Sequence, residues 1–143
     1  MINVLFLDKS NTVLSAMCEI ILKEKLSDLT LPISVKSAGT QTTDGVDINT
    51  VALKALWLRG YDGDGFTSRS LTEEDLSMAD YVIITSKQLK FTLPKSDKIY
   101  TFGELTGCNE LKEPCVDEFV TFLDATADIE FMSDIFIQKL KQI

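Results

Sequence analysis

Apolar runs of strand length alternate with apolar residues at helical spacing along the chain. The run INVLFL (residues 2–7) predicts a buried strand. The apolar residues that follow it share one face of a predicted helix: Leu14, Met17, Cys18, Ile21 and Leu22. Residues 33–36 (ISVK) predict a second strand. A second helical face comprises Ile48, Val51, Ala52, Ala55 and Leu56, with Gly60 placed to end that helix.

The second half of the chain continues this alternation. Thr72 and Asp75 have the spacing of a capping box, which predicts a short helix in the segment LTEEDLSMA. Residues 81–85 (YVIIT) and 98–102 (KIYTF) predict two further strands. A long amphipathic helix is predicted from Val116 to Leu140, which an interruption near residues 127–129 could divide.

Strands that are separated by helices indicate a parallel sheet, because parallel neighbours need a crossover connection between them. We therefore predict one α/β domain over residues 1–143, a three-layer α/β/α sandwich with a four-stranded parallel sheet. In such sheets, ligands bind beyond the carboxyl ends of the strands, where the strand order reverses. Residues 8–15, which follow the first strand, should lie at that point.

Charge and composition argue against several classes of function. A formal net charge of −8 at pH 7 would repel nucleic acid and an anionic membrane, so we expect neither as a partner. The chain contains no histidine, the commonest metal ligand and the commonest general base near neutral pH. We expect no metal site and no cofactor. Any chemistry would have to use carboxylates, thiols, lysines or hydroxyls.

The N-terminus and the cysteines favour a cytoplasmic protein. The apolar start MINVLFL is short and has no basic flank, so we interpret it as a strand and not as a signal peptide or a membrane span. Cys18, Cys108 and Cys115 contain no CxxC pair, which is typical of reduced thiols.

Several segments, in the same order, resemble the low-molecular-weight protein tyrosine phosphatase family, which also contains the thioredoxin-coupled arsenate reductases. These segments are VLFL before the first turn, Asn11-Thr12 within it, Ser15-Ala16-Met17 at the start of the first helix, SAGT at residues 37–40 and LRGYDGDGFTSRSLTEEDLSMADYVIIT at residues 58–85. Because they extend over most of the chain, the resemblance implies the family's α/β fold.

The family carries a loop of the form Cys-x5-Arg-Ser after its first strand. Its backbone N–H groups cradle a phosphate, its thiolate attacks phosphorus and its arginine binds the equatorial oxygens. The resemblance places Asp8 at the nucleophile and Leu14 at the arginine. The remaining loop residues are Lys9, Ser10, Asn11, Thr12, Val13 and Ser15, of which Asn11 and Ser15 match the residues that brace the family's loop.

The resemblance also assigns the general acid. The family's aspartate before a proline corresponds here to Glu113, which precedes Pro114. We expect the Asp8 carboxylate to occupy the cradle and to accept N–H groups from residues 10–15. Leu14 continues the apolar face of the first helix, so we expect it to pack in the core.

Three interpretations of function remain open. The leading one is a catalytically inactive relative that binds a protein or a small molecule at the altered cleft. The second is phosphoryl transfer with Asp8 as nucleophile, Glu113 as acid and a divalent metal. The third is activity as a phosphatase or an arsenate reductase. No cysteine is present at residue 8 to start either reaction. Cys108 and Cys115 have the spacing of the reductases' redox pair, but they do not lie in the segment that directly follows the third strand.

The segment LFLDKSNTVL also resembles the first motif of the haloacid-dehalogenase-like phosphatases, in which an aspartate is phosphorylated. This resemblance covers ten residues, and no acidic pair follows a later strand. Outside the loop, we expect Arg69 to pair with a carboxylate such as Glu73, the alternative being that it reaches the site. We expect Trp57 to be half-buried within the second helix, the alternative being an aromatic at a partner surface.

Overall fold

The computed structural model describes residues 1–143 and contains four strands and five α-helices. In chain order these are β1 (Ile2–Asp8), α1 (Leu14–Leu26), β2 (Ile33–Gly39), α2 (Thr50–Leu58), α3 (Glu73–Met78), β3 (Tyr81–Ile84), β4 (Ile99–Thr101), α4 (Phe102–Thr106) and α5 (Phe119–Leu140). A 3-10 helix, Lys87–Thr92, lies between β3 and β4. The strands form one parallel sheet in the order β2-β1-β3-β4, which confirms the predicted α/β fold.

Successive side chains of β1 pack into two different layers. Val4 and Phe6 belong to the larger core, which also contains buried residues of α1, α2 and α5. Leu5 and Leu7 face the other way, into a smaller cluster that includes Leu89 of the 3-10 helix. A strand covered on both faces is apolar at every position, which accounts for the uninterrupted run in the sequence.

The strand order reverses at β1, which has β2 on one side and β3 on the other. The chain leaves β1 at Asp8 and enters α1 at Leu14. The loop that connects them therefore lies at the switch point of the sheet, where α/β folds bind ligands.

The C-terminal helix begins later than predicted. Val116 lies outside α5 and is exposed. Thr121 Oγ1 accepts a hydrogen bond from Cys115 N at 2.8 Å and donates one to Glu118 O at 2.6 Å, which fixes the preceding segment in a non-helical course. The expected interruption near residues 127–129 is also wrong, because Asp128 faces solvent while Ile129 is buried, so the amphipathic period continues.

Two capping boxes define short helices. The box predicted at Thr72 and Asp75 is present and begins α3. The fourth strand is shorter than predicted, because a second box at Thr101 and Glu104 begins α4 at Phe102. None of the helices combines the length and the apolar character needed to cross a lipid bilayer.

Candidate functional site

The loop between β1 and α1 folds around the carboxylate of Asp8. Asp8 Oδ1 accepts a hydrogen bond from Asn11 N at 2.7 Å, and Oδ2 accepts one from Ser15 N at 2.9 Å. Only 8% of the surface of Asp8 is exposed. Both oxygens act as acceptors, which is the arrangement of an ionised carboxylate. The expectation that Asp8 accepts main-chain N–H groups of its own loop is confirmed.

The charge of Asp8 is not balanced by a cation. Burial raises the pKa of Asp8 above its ordinary value, and the hydrogen bonds from Ser15 and Asn11 lower it by less. None of the ion pairs in the structure includes Asp8. Burial raises the pKa of the Cys18 thiol, and the negative charge of the nearby Asp8 carboxylate raises it further.

Leu14 supplies no polar group to the loop. It is the first residue of α1, and 1% of its surface is exposed. Its side chain belongs to the larger hydrophobic core, which confirms the packing predicted for it. The loop therefore has an aliphatic residue at the position where the family resemblance implies a phosphate-binding arginine.

Asn11 braces the loop from inside. Its φ is 58°, in the left-handed region that asparagine tolerates better than most other residues. Nδ2 donates to Ser15 Oγ and to Ser37 Oγ, both at 2.9 Å, and Oδ1 accepts from Arg69 N at 2.9 Å. The side chain is fully buried, and both of its polar atoms have hydrogen-bond partners. It ties the loop to β2 and to the segment before α3.

Arg69 extends this network to α3. Its Nη1 donates to Ser37 O at 2.9 Å, and its Nη2 contacts Asp75 Oδ1 at 2.8 Å. The predicted pairing of Arg69 with a carboxylate is confirmed, but the partner is Asp75 and not Glu73, because Asp75 folds back over the start of α3 towards Arg69 while Glu73 faces solvent. Ser37 Oγ also donates to Glu19 Oε1 at 2.8 Å, which adds α1 to the network.

The end of β2 supports the loop from behind. Thr40 N donates to Asp8 O and Gln41 N donates to Lys9 O, both at 2.9 Å. Gly39 allows this close approach, because a Cβ there would lie 2.6 Å from Lys9 O. Main-chain hydrogen bonds therefore join the end of SAGT directly to the start of the loop.

The outer part of the loop is more open. Lys9 and Ser10 are exposed, whereas Thr12 and Val13 are partly buried. Ser10 Oγ lies 2.9 Å from Thr12 Oγ1. The N–H groups of Thr12 and Val13 have no acceptor within the protein. The loop thus retains main-chain donors beyond the two that Asp8 uses.

The start of α2 contacts this outer part of the loop. Asn49 N donates to Thr12 O at 3.0 Å. The side chain of Asn49 caps α2, and its Oδ1 accepts from Val51 N and Ala52 N. The same residue therefore fixes the N-terminus of α2 and places it beside the loop.

Glu113 lies close enough to Asp8 for their charges to interact. Partial burial of the carboxyl group raises the pKa of Glu113 above its ordinary value, and the charge of Asp8 raises it further. The side chain of Glu113 remains solvent-accessible and lines a cavity of about 340 Å³ with Glu110 and Lys87. Lys87 Nζ contacts Glu110 Oε2 at 3.9 Å. The two predicted acidic residues thus lie at the carboxyl edge of the sheet, Asp8 at the end of β1 and Glu113 in a cavity with Thr85 and Ser86, which follow β3.

The other residues singled out in the sequence lie elsewhere. Trp57 is 73% exposed, so the half-buried position predicted for it is wrong. Cys108 and Cys115 are free thiols. No three or more cysteine, aspartate or glutamate side chains converge as a ligand set for a metal. Sequence reasoning did not assign roles to Ser37 and Glu19, although Ser37 begins the recognised SAGT segment.

Comparison with known proteins identifies the family. The family model described as low molecular weight phosphotyrosine protein phosphatase matches residues 3–142. No curated protein sequence matches the chain at a significant level.

Solved structures share the fold over their full length. A low-molecular-weight protein tyrosine phosphatase from T. tengcongensis is 28% identical, with a TM-score of 0.90 and coverage of 97% of this chain and 99% of that chain. A mutant of YwlE from Bacillus subtilis is 23% identical, with a TM-score of 0.90 and 99% of each chain covered. A low-molecular-weight phosphotyrosine phosphatase from Vibrio cholerae O395 is 24% identical, with a TM-score of 0.89 and coverage of 99% and 97%. The chain belongs to the low-molecular-weight phosphotyrosine protein phosphatase family.

Proposed function

We propose that this family member does not hydrolyse phosphate esters and instead acts as a binding module built on the phosphatase fold. The observation that carries the proposal is the position of the Asp8 carboxylate, which accepts the N–H groups of Asn11 and Ser15. In the family, as the sequence resemblance implies, such N–H groups serve the catalytic thiolate and the phosphate. Here a side chain of the protein itself occupies them.

Electrostatics at the loop oppose the binding of a phosphate. Two like charges about 4 Å apart repel by about 4 kcal/mol at an effective dielectric constant of 20. That energy corresponds to a loss of affinity on the order of a thousandfold. Asp8 and Glu113 would both repel a phosphate in the cleft, and Leu14 offers no compensating cation.

The loop lacks the nucleophile as well as the cation. As the resemblance implies, phosphoryl transfer in the family needs both the thiolate and the arginine. Cys18 cannot replace the thiolate, because it is buried and its pKa is raised. We propose a cytoplasmic location, which the three free thiols support because they suit a reducing compartment. Its partner is a protein or a small molecule that contacts the altered cleft.

A second candidate is phosphoryl transfer through Asp8, which the closeness of Glu113 favours. In that reaction an Asp8 oxygen would attack phosphorus to form an acyl phosphate, and Glu113 would protonate the departing alkoxide. Water would then hydrolyse the acyl phosphate. The raised pKa of Glu113 suits a general acid, but both oxygens of Asp8 are already engaged by N–H groups.

Hydrolysis of p-nitrophenyl phosphate separates the two candidates. The purified wild-type protein and the Asp8→Asn variant are assayed with and without magnesium. We expect no turnover above buffer in any of the four reactions. Magnesium-dependent turnover that disappears in Asp8→Asn would establish the second candidate, and turnover that survives the substitution would indicate a contaminating phosphatase.

A further inference from the structure

The second strand lies at one edge of the sheet, and among the strands it pairs only with β1. Thr40 N, immediately after β2, donates to Asp8 O at 2.9 Å, and Ile2 N donates to Pro32 O at 2.8 Å. Alternate residues of a parallel strand bond to the same neighbour, so these two bonds fix which residues of β2 face β1: Ser34, Lys36 and Ala38. The residues whose main-chain groups face away from β1 are Ile33, Val35, Ser37 and Gly39.

The chain itself closes the C-terminal half of this outer edge. Gly39 N donates to Arg69 O at 2.8 Å, and Leu71 N donates to Gly39 O at 2.9 Å. Residues 69–71 thus lie beside the end of β2 as a short parallel neighbour. Arg69 Nη1 also donates to Ser37 O at 2.9 Å. An extended segment of the protein therefore already pairs with one half of the edge.

The N-terminal half of the edge is open. No other part of the chain bonds to Ile33 O or to the main-chain N–H and C=O of Val35. Val35 is only 5% exposed, because its side chain packs in the larger core, but the residue lines an open groove of about 510 Å³. One main-chain donor and two acceptors therefore remain available to another strand.

A groove borders the open half on each face of the sheet. The α1-side groove, of about 510 Å³, is lined by Lys23, Leu26 and residues 33–36. The α3-side groove, of about 340 Å³, is lined by Ser34 and Lys36 together with residues of α3. Side chains of an added strand point alternately to the two faces of the sheet, so they would enter the two grooves in turn.

Positive charge borders the open half, although the chain carries a net charge of −8. Lys36 is exposed, lines both grooves and forms no ion pair. The lining of the α1-side groove contains Lys23 as well and no carboxylate, and Lys23 Nζ contacts Glu19 Oε2, outside that lining, at 3.0 Å.

The α3-side groove adds little net charge to this edge. Its lining contains Arg69 and Asp75, which pair with each other at 2.8 Å, and Glu74. Lys36 is therefore the unpaired charge that lies within the open half of β2 itself. A residue of an added strand directly beside Lys36 would share its face of the sheet, and an opposite charge there is favourable.

We propose that the open half of the β2 edge binds an extended segment of another protein, which adds to the sheet as a fifth strand and carries acidic side chains beside Lys36. Main-chain hydrogen bonds to Ile33 and Val35 would hold the segment, and Lys36 would select its charge. A second copy of this chain fits poorly, because two lysine-bearing edges would face one another.

The proposed surface is separate from the altered loop. Ile33 and Val35 lie beside Ile2 and Val4, at the opposite end of β1 from Asp8. The proposal therefore goes beyond the proposed function and does not depend on an inactive loop.

Hydrogen exchange at two neighbouring amides tests the proposal. The probe is the peptide Thr-Glu-Val-Glu-Val-Glu-Val-Thr. In the free protein the Val35 amide should exchange with deuterium faster than the Lys36 amide, which faces β1. Saturating peptide should slow exchange of the Val35 amide at least tenfold and change that of Lys36 less than twofold. Binding should weaken at high salt.

Two control peptides separate strand addition from general attraction. A peptide with lysine at every glutamate should not bind, because its charge matches that of Lys36. A glutamate peptide that is N-methylated at every central residue should not bind either, because it cannot donate main-chain hydrogen bonds. Binding of either control as tight as that of the probe, or no binding of the probe, would overturn the proposal.

Matched variants test the choice of charge. Lys36→Glu should weaken binding of the glutamate peptide at least tenfold. Lys95→Glu makes the same change at an exposed lysine that forms no ion pair and lines neither groove, and it should change binding less than twofold. Equal effects of the two variants would contradict the role of Lys36.

Sedimentation velocity tests the other occupant. The wild-type protein should remain a monomer at micromolar concentration. A dimer in which the Val35 amide is already protected from exchange would show that a second copy occupies the edge, and would contradict the proposed partner. Hydrolysis of p-nitrophenyl phosphate tests the altered loop separately, since neither its presence nor its absence bears on binding at the β2 edge.

Discussion

The carboxylate of Asp8 and the main-chain N–H of Ser15 are joined by a hydrogen bond of 2.9 Å. Ser15 lies in the first turn of α1, where unpaired N–H groups attract negative charge. The Asp8 carboxylate, at the start of the loop, therefore occupies the anion-binding position that the N–H of Ser15 provides at the end of the loop. This contact motivates the proposal that the loop no longer serves an external phosphate.

Replacing Asp8 by asparagine should change how stability depends on pH. Burial raises the pKa of Asp8 in the folded protein, so the folded state retains a proton at a pH where the unfolded state has released it. The protonated Asp8 side chain contributes its full stabilisation below the pKa of the unfolded state, about 3.9, and this stabilisation is lost as the pH rises through the pKa of the folded state. Relative to Asp8→Asn, the wild-type free energy of unfolding should fall as the pH rises from about 4.

Urea unfolding at several pH values measures this difference. Asp28→Asn is the matched control, because it removes an exposed carboxylate beyond the end of α1. Its pH profile should run parallel to that of the wild type. A wild-type protein that gains stability over Asp8→Asn as the pH rises would contradict the raised pKa.

Asp75 should show the opposite pH dependence. Burial would raise the pKa of Asp75, but hydrogen bonds from Thr72 N and the Arg69 guanidinium lower it below its ordinary value. Its contribution to stability is present above the unfolded pKa and is lost as the pH falls through the folded pKa. Asp75→Asn should cost about 1–2 kcal/mol at pH 7 and much less near pH 3.

The control for Asp75→Asn is Glu74→Gln, which removes an exposed carboxylate from the same turn of α3. We expect it to cost no more than about 0.5 kcal/mol. If the cost of Asp75→Asn did not decrease in acid, the ion pair with Arg69 would not be the source of the stabilisation.

Asn11→Ala should be strongly destabilising. The substitution removes three buried hydrogen bonds and places alanine at a φ of 58°. Each hydrogen bond contributes about 1 kcal/mol, and the left-handed conformation costs alanine about 1 kcal/mol more, so we expect a loss of about 3–4 kcal/mol. Asn11→Gly, which tolerates this φ, should lose about 1 kcal/mol less. Thermal or urea unfolding measures both losses of stability. A larger loss for Asn11→Gly than for Asn11→Ala would contradict this account.

Restoring the family's two missing groups should restore some phosphatase activity. Asp8→Cys combined with Leu14→Arg supplies the thiolate and the cation within a loop that Asn11 and Ser15 still brace. Asp8→Cys alone should be slower by about a hundredfold or more, because it lacks charge stabilisation of the transferring phosphoryl group. Leu14 is buried, so circular dichroism must first establish that the double variant is folded. A folded but inactive double variant would indicate that the loop backbone also differs from that of the active family members.

Local signals in the sequence predicted most of the fold. The capping box at Thr72 and Asp75, the apolar run of β1 and the core position of Leu14 all depend on neighbouring residues, and all three are confirmed. The same kind of signal was present at Thr101 and Glu104. The apolar Phe102 continues the strand pattern of residues 98–101, so the sequence predicts a strand there, whereas the capping box ends β4 at Thr101.

Contacts between distant segments could not be predicted in the same way. Asn11 Oδ1 accepts its hydrogen bond from Arg69 N, 58 residues along the chain, and no periodic pattern specifies that partner. Apolar composition was also a poor guide at the protein surface. Trp57 was expected to be half-buried and Val116 to begin the amphipathic C-terminal helix, yet both side chains are exposed.

Titration with inorganic phosphate, followed by the amide resonances of Asn11 to Ser15, tests most directly whether Asp8 fills the loop. The N–H groups of Thr12 and Val13 have no acceptor within the protein, so their resonances would respond to any bound oxyanion. We predict that the wild-type resonances do not move with millimolar phosphate at constant ionic strength. Saturable shifts of the Asn11 and Ser15 amides in the wild-type protein would mean that phosphate displaces the Asp8 carboxylate, and would contradict the proposed filling of the site.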